Sequence, residues 1–160
     1  MLIFAVRLIV EQNGLLLFLH QTKKKGGRFS LIGGNVEAHE FAREALAREA
    51  LEEAGIYIRP EDLQLVHVLH RHKLKKGQTS LVLYFQTKQF QGAPASQEPK
   101  KFKDIAWFPR NLLPAEISKT TQHVLEAIRR GEVYSEYPDR NKILAHLEMT
   151  AARRDDFALP

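Results

Sequence analysis

The chain has 160 residues, 44% of them hydrophobic and 27% charged, with a formal net charge of +5 and no cysteine. It is a single domain of ordinary size, able to bury a sizeable core and too apolar for bulk disorder. The absence of cysteine excludes a disulfide scaffold, a thiol nucleophile and a cysteine-ligated zinc site.

Met1 to Val10 is apolar, but Arg7 interrupts it and neither a basic n-region nor a small-residue cleavage site accompanies it. It reads as a strand. No run approaches the roughly 18 apolar residues of a membrane span. A cytoplasmic protein without membrane contact is therefore expected. Asn13-Gly14 then separates two apolar runs and predicts a hairpin, with the second strand over Leu15 to Leu19. Lys23 to Gly27 is a loop, and Phe29 to Ile32 a short strand ending at Gly33-Gly34. Phe41 to Ala54 is rich in alanine, leucine, glutamate and arginine, which predicts a helix. Gly55 stops it.

Ile56 to Ile58 is extended and Pro60 breaks it. Leu63 to His70 and Ser80 to Phe85 predict two strands joined by a turn over Lys73 to Gln78. Gln91 to Pro99 is a loop. Ile105 to Phe108 is a last strand. A helix is expected over Ser118 to Arg130, with Ser118 as N-cap and Gly131 as stop. After Tyr137 only Ile143 to Ala152 has helical character. The expected organisation is one domain over residues 1–135 and a tail over 136–160 holding at most a short helix. Strands on both sides of a central helix, with a second helix later, predict a mixed sheet between helices.

Charge is unevenly placed. Lys23, Lys24, Lys25 and Arg28 form one basic loop; Arg71, Lys73, Lys75 and Lys76 a second; Lys100, Lys101 and Lys103 a third. Between the first two lies an acidic segment with Glu37, Glu40, Glu44, Glu49, Glu52 and Glu53. At about 100° per residue, Glu49, Glu52 and Glu53 share one helix face, where like charges repel. The bland reading is a solvated helix with Arg48–Glu52 and Glu44–Arg48 pairs. The sharper one is an all-oxygen site for Mg²⁺ or Mn²⁺. Gly33-Gly34 lets backbone approach that face closely. Arg48 is placed to hold a carboxylate in position.

The full spacing decides between them. Gly34, Glu40, Arg48, Glu49, Glu52, Glu53, Gly55 and the aliphatic Ile56 resemble the signature of the Nudix hydrolases, Gly-x5-Glu-x7-Arg-Glu-U-x-Glu-Glu-x-Gly-U, with Ala50 the weakest aliphatic match. The resemblance implies an α/β fold, an α/β/α sandwich around a mixed sheet. It also implies Mg²⁺- or Mn²⁺-dependent cleavage of a pyrophosphate bond in a nucleoside di- or triphosphate derivative. By position, Glu49, Glu52, Glu53 and the Gly33 carbonyl resemble the family's metal ligands. Glu49 resembles its base in some members, and Arg48 the residue that orients it. Gly34, Glu40 and Gly55 resemble the structural positions of the motif. Two positions depart from common usage: Ile32 stands where a proline is usual, and His39 where a glycine is frequent.

Outside the motif, Glu98 is the only carboxylate between Asp62 and Asp104, in a loop where the family often places another catalytic glutamate. Arg28 and Lys100 are candidate substrate contacts. His67, inside an apolar strand, reads as a strand-face residue, His70 and His72 as rim residues, and Trp107-Phe108 as core. Downstream markers of the ADP-ribose, dinucleoside polyphosphate, NADH and coenzyme A subfamilies are absent. Nucleotide-pool substrates, NTP or dNTP, are therefore the default. Two alternatives stay open: removal of pyrophosphate from RNA 5′ ends, with nucleic acid as partner, and an idle nucleotide-sensing domain.

Overall fold

The structure, a computed structural model, describes residues 2–155. Met1 and residues 156–160 of the expected tail lie outside the described residues. The described elements are β1 (Leu2–Gln12), β2 (Leu15–Gln21), β3 (Phe29–Ser30), α1 (Ala42–Ala54), β4 (Gln64–Lys73), β5 (Gln78–Thr87), β6 (Phe102–Pro109), α2 (Lys119–Arg129), β7 (Tyr134–Tyr137) and α3 (Arg140–Asp155). The strands form a mixed sheet in the order β3-β2-β1-β5-β4-β7, with β6 paired to β2.

β1 runs parallel to β5, from Leu2 opposite Thr79 to Val10 opposite Thr87. It is covered on both faces, which explains why its sequence alternates so loosely. Val6, Leu8 and Val10 face one core with Leu46, Ala50 and Ala54 of α1. Ala5 and Ile9 face the other with Leu69, Val82 and, from α2, Val124 and Leu125. The result is the expected α/β/α sandwich. The hairpin forms at Asn13 and Gly14, both with positive φ (52° and 76°), the backbone twist that suits a two-residue β turn.

Both expected helices form close to their predicted ends. Ser118 caps α2 by accepting the Thr121 N–H at 3.1 Å. At the start of α1 the Glu44 carboxylate accepts the Phe41 N–H at 2.8 Å, so the anticipated Glu44–Arg48 pair gives way to a helix-start bond. Phe29 to Ile32 is only partly a strand: pairing with β2 covers Phe29 and Ser30, and Ile32 bridges to Leu8 instead.

The C-terminal region holds two elements that the sequence reading understated. β7 was not expected at all, yet it pairs in parallel with β4 from Val68–Tyr134 to Arg71–Tyr137. His67 supports this join. Its side chain is buried, with Nδ1 2.9 Å from the Glu132 carbonyl and Nε2 2.7 Å from the Ser135 hydroxyl. The strand-face reading of His67 therefore holds. The helix anticipated over Ile143 to Ala152 is longer, covering Arg140–Asp155. Among the described residues no helix is long and apolar enough to cross a membrane.

Candidate active site

The chain crosses from the sheet to α1 through Gly33-Gly34, and both glycines are required by space. A Cβ on Gly33, whose φ is 148°, would collide with the Val6 carbonyl, and one on Gly34 would occupy the place of the Glu49 carboxylate. The flanking carbonyls are used by β1: Ile32 O accepts from Leu8 N and Gly34 O from Val6 N, each at 2.9 Å. The Gly33 carbonyl between them accepts no bond among the described residues. The Gly33 N–H donates to Glu53 Oε2 at 2.9 Å. Farther along, His39 takes φ 68°, the left-handed region. This accounts for glycine being frequent at that position and leaves a strained residue here.

Arg48 organises the acidic face. Its Nε and NH2 donate to the two oxygens of Glu40 at 2.8 and 3.1 Å. NH1 donates to Glu49 at 3.1 Å and to Glu52 at 3.2 Å. Glu40 is thereby gripped in bidentate fashion, and its bond to Arg48 holds its carboxyl below the ordinary value. The same bond to Glu40, joined by Glu49, raises the Arg48 guanidinium further. The i,i+4 pair of the bland reading, Arg48–Glu52, is thus present, but as one strand of a wider web.

Glu53 lies outside that web. It is 5% exposed, and burial pushes its pKa up to about 7, helped by the negative charges of Glu49 and Glu98. The Gly33 N–H and Arg7 work in the opposite direction. A buried carboxylate facing two others is short of positive charge.

Glu98 reaches this face because its loop is pinned to the C-terminal end of α1. Ala95 N donates to Ala54 O at 3.0 Å and Gln97 N to Glu53 O at 3.1 Å. Gly55 ends the helix beside the Gln97 side chain, with its N–H turned back to the Ala50 and Leu51 carbonyls. Lys101 Nζ lies 3.0 Å from Glu98. That bond raises the Lys101 pKa, with further support from Glu53 and Glu49. The lysine at the acidic face is therefore Lys101. Among the described residues Lys100 bonds through its carbonyl alone, which accepts from the Thr22 hydroxyl at 3.5 Å.

Arg28 stands elsewhere. With Arg7, Lys25 and Arg71 it lines a cavity of about 490 Å³. Arg7 connects the two regions, since its NH1 donates to Val6 O at 2.7 Å and more weakly to Gly34 O at 3.4 Å. The sequence reading missed Arg7 and Lys101 as site residues. An arginine inside a strand that is otherwise apolar was the available signal for the first. The Glu98-to-Lys101 spacing of one tight turn was the signal for the second. Trp107 stacks near Phe90, and Phe108 packs against Phe18 and Phe29, so both belong to the core as expected.

Glu49, Glu52, Glu53, Glu98 and the free Gly33 carbonyl form an all-oxygen donor set, the type that suits a hard divalent cation. Charge points the same way, through Glu53. Among the described residues no three carboxylate or histidine side chains already converge as a metal cage. Arg48 instead holds Glu49 and Glu52.

The NUDIX domain family matches residues 1–128, and the chain belongs to that family: it is a Nudix hydrolase. No curated protein sequence matches it. Many solved structures share the fold. The MutT NUDIX hydrolase from Burkholderia pseudomallei superposes with a TM-score of 0.72 at 24% identity, over 79% of this chain and 97% of that one. The MutT protein from Bacillus halodurans gives 0.70 at 18%, over 84% and 88%. The MutT protein from Methanosarcina mazei Go1 gives 0.68 at 18%, over 81% and 94%.

Proposed function

We propose that this Nudix hydrolase cleaves a pyrophosphate bond in a nucleoside di- or triphosphate derivative, with NTP or dNTP of the nucleotide pool favoured, and that it depends on Mg²⁺ or Mn²⁺. The observation that carries the reading is Glu53: a carboxylate whose pKa is pushed up to about 7 by burial, and further by Glu49 and Glu98, beside an unused carbonyl at Gly33. In this reading Glu49, Glu52, Glu53 and the Gly33 carbonyl hold the cation. When bound, the cation polarises the phosphoryl oxygens, lowers the pKa of a water and neutralises the leaving group.

The chain's own residues supply the rest. A carboxylate, Glu49 or Glu98, takes the proton as water oxygen bonds to phosphorus and the bridging P–O bond breaks. The leaving phosphate or pyrophosphate carries away the electron pair. Arg48 positions Glu49 and Glu52 rather than touching the reacting atoms. Gly34, Glu40 and Gly55 keep the corner and the helix in register. Arg28 and Lys100 contact the substrate from the basic loops, which steer an anion toward the site. The cysteine-free sequence suits the cytoplasm.

A nucleotide panel tests the reading. NTPs, dNTPs and dinucleotides are each offered with Mg²⁺ and with Mn²⁺, while phosphate and pyrophosphate are measured. Release of either from a nucleotide is the expected result. No turnover across the panel, with binding intact, would leave the idle nucleotide-sensing domain.

A further inference from the structure

The cavity beside Arg7 has a composition that the cleavage of a diphosphate does not explain. It lies on the α2 side of the sheet and is lined by Arg7, Lys25, Arg28 and Arg71 without a single carboxylate. None of these four cations is in an ion pair among the described residues, whereas Arg48, Arg59, Arg110, Arg129 and Arg130 all are. Arg71 is the most exceptional. Its Nε is shut off from solvent and has no hydrogen-bond partner among the described residues. Directly across from it in register stands Ser80, 3% exposed, whose hydroxyl is also unpartnered. Buried polar groups are nearly always satisfied, and a donor left over inside a polar cavity marks a missing acceptor.

Polar residues of α2 border the cavity as well. Ser118, Thr120 and Thr121, at the start of α2, line it, where a helix favours negative charge. Burial raises the Tyr84 phenol above its ordinary value, and Arg7 and Arg71, which line the cavity with it, both work against that rise. They nevertheless enter from different levels of the sheet. Arg7 sits opposite Tyr84. Arg71 sits opposite Ser80, which is paired with Ile3. At about 3.3 Å per residue, the four positions from Ile3 to Arg7 set the two backbones roughly 13 Å apart along the strands. Arg7 adjoins Gly34 and the acidic face, and Arg71 marks the far end.

We propose that the far end of this cavity takes a second phosphate group, carried on the nucleoside side of the substrate, and that Arg71 selects for it. The proposal rests on the reading above only in placing the scissile diphosphate at α1. An uncharged nucleobase and sugar can accept a hydrogen bond from Arg71 but leave its charge, and those of Lys25 and Arg28, uncompensated, whereas a phosphate supplies both the acceptor and the negative charge. Two sources present this chemistry: a free nucleotide phosphorylated on its sugar, and the 3′-phosphodiester of an RNA 5′ end.

Binding of adenosine 3′,5′-bisphosphate and of AMP, measured calorimetrically in EDTA, tests the pocket apart from catalysis. The bisphosphate is expected to bind about tenfold more tightly or better. Arg71→Gln should abolish that advantage and Arg71→Lys retain part of it. Equal affinities in the wild type, or an advantage that survives Arg71→Gln, would overturn the proposal. An independent readout uses the unmutated protein: in a ¹⁵N spectrum of arginine Nε–H groups, the bisphosphate but not AMP should shift one buried signal, and no such shift counts against the idea. With Mg²⁺, a 3′-phosphorylated nucleoside 5′-triphosphate and a 5′-triphosphorylated RNA dinucleotide separate the two sources by kcat/KM. If ATP is cleaved and neither exceeds it, the proposal falls. If none of the three is cleaved while the affinity advantage persists, the catalytic reading fails and the pocket stands.

Discussion

The two sides of the Gly33-Gly34 corner carry opposite charge and treat it differently. On the α1 side, Glu40, Glu49 and Glu52 are gathered by one arginine, while the buried Glu53 makes no ion pair among the described residues. On the α2 side, four cations line one cavity with no acid among them. Both arrangements are electrostatically incomplete in the protein alone. A surface built only for solubility would intersperse its charges and pair them. Separating them by the width of a β-strand creates a site that lacks positive charge next to one that lacks negative charge. A metal-bound diphosphate supplies both at the corner itself and leaves the Arg71 end of the cavity uncompensated.

The comparison breaks most visibly if the acidic side works without metal. EDTA should abolish hydrolysis, and Mg²⁺ or Mn²⁺ should restore it; undiminished turnover in metal-free buffer would remove the reason for the carboxylate cluster. Next in size, Glu53→Gln keeps the shape but removes the charge that Arg48 does not serve. We expect kcat to fall by about a thousandfold at saturating metal. Glu98→Gln should lower kcat by about a hundredfold with little change in Tm, and should shift the pH–rate profile if Glu98 is the base. A solvated loop residue would give no kinetic effect. Arg48→Lys, which loses the two-pronged grip on Glu40, should cost about 1–2 kcal/mol of stability and reduce kcat by less than Glu53→Gln does.

The same comparison explains what could be learned from the sequence. The acidic side is written within 23 residues, Gly34 to Ile56, most of them in one helix, so spacing alone places Glu49, Glu52 and Glu53 on a shared face. Helix ends were legible for similar reasons, since Ser118, Gly55 and Gly131 are local signals. The cationic side draws Arg7 from β1, Lys25 and Arg28 from the loop between β2 and β3, and Arg71 from β4. No local pattern relates residues that far apart; only the pairing of β1 with β5 and β5 with β4 brings them together. Glu98 lies between these cases. Its residue type and its proline neighbour were visible, but its approach to Glu53 depends on backbone bonds from Ala95 and Gln97 to the end of α1. β7 escaped because four residues, Tyr134 to Tyr137, with two polar side chains among them, carry too little apolar signal to mark a strand.

The smallest expected effect concerns stability against pH, where two carboxylates should act in opposite directions. Glu53 has its pKa raised from 4.5 to about 7 in the folded protein, first by burial and then by Glu49 and Glu98. The folded state therefore holds a proton there more tightly than the unfolded chain does. Its contribution is fully present below about pH 4.5 and is lost as pH rises through about 7, amounting to roughly 3 kcal/mol across that window. Glu11 is the reverse case. The hydrogen bond from Arg110 at 2.8 Å, aided by Lys88, holds its pKa below the ordinary value. Its contribution is present above about pH 4.5 and lost as pH falls through the lowered value. Metal-free protein should therefore show Tm declining from pH 5 to pH 8, with Glu53→Gln flattening that decline and Glu11→Gln leaving it in place. Below pH 4.5 only Glu11→Gln should flatten the acid limb. Mg²⁺ should raise Tm more at pH 8 than at pH 5, because a cation favours the charged form of Glu53 and at pH 5 must displace its proton. A metal-induced rise in Tm equal at both pH values would show that Glu53 is not where the cation acts.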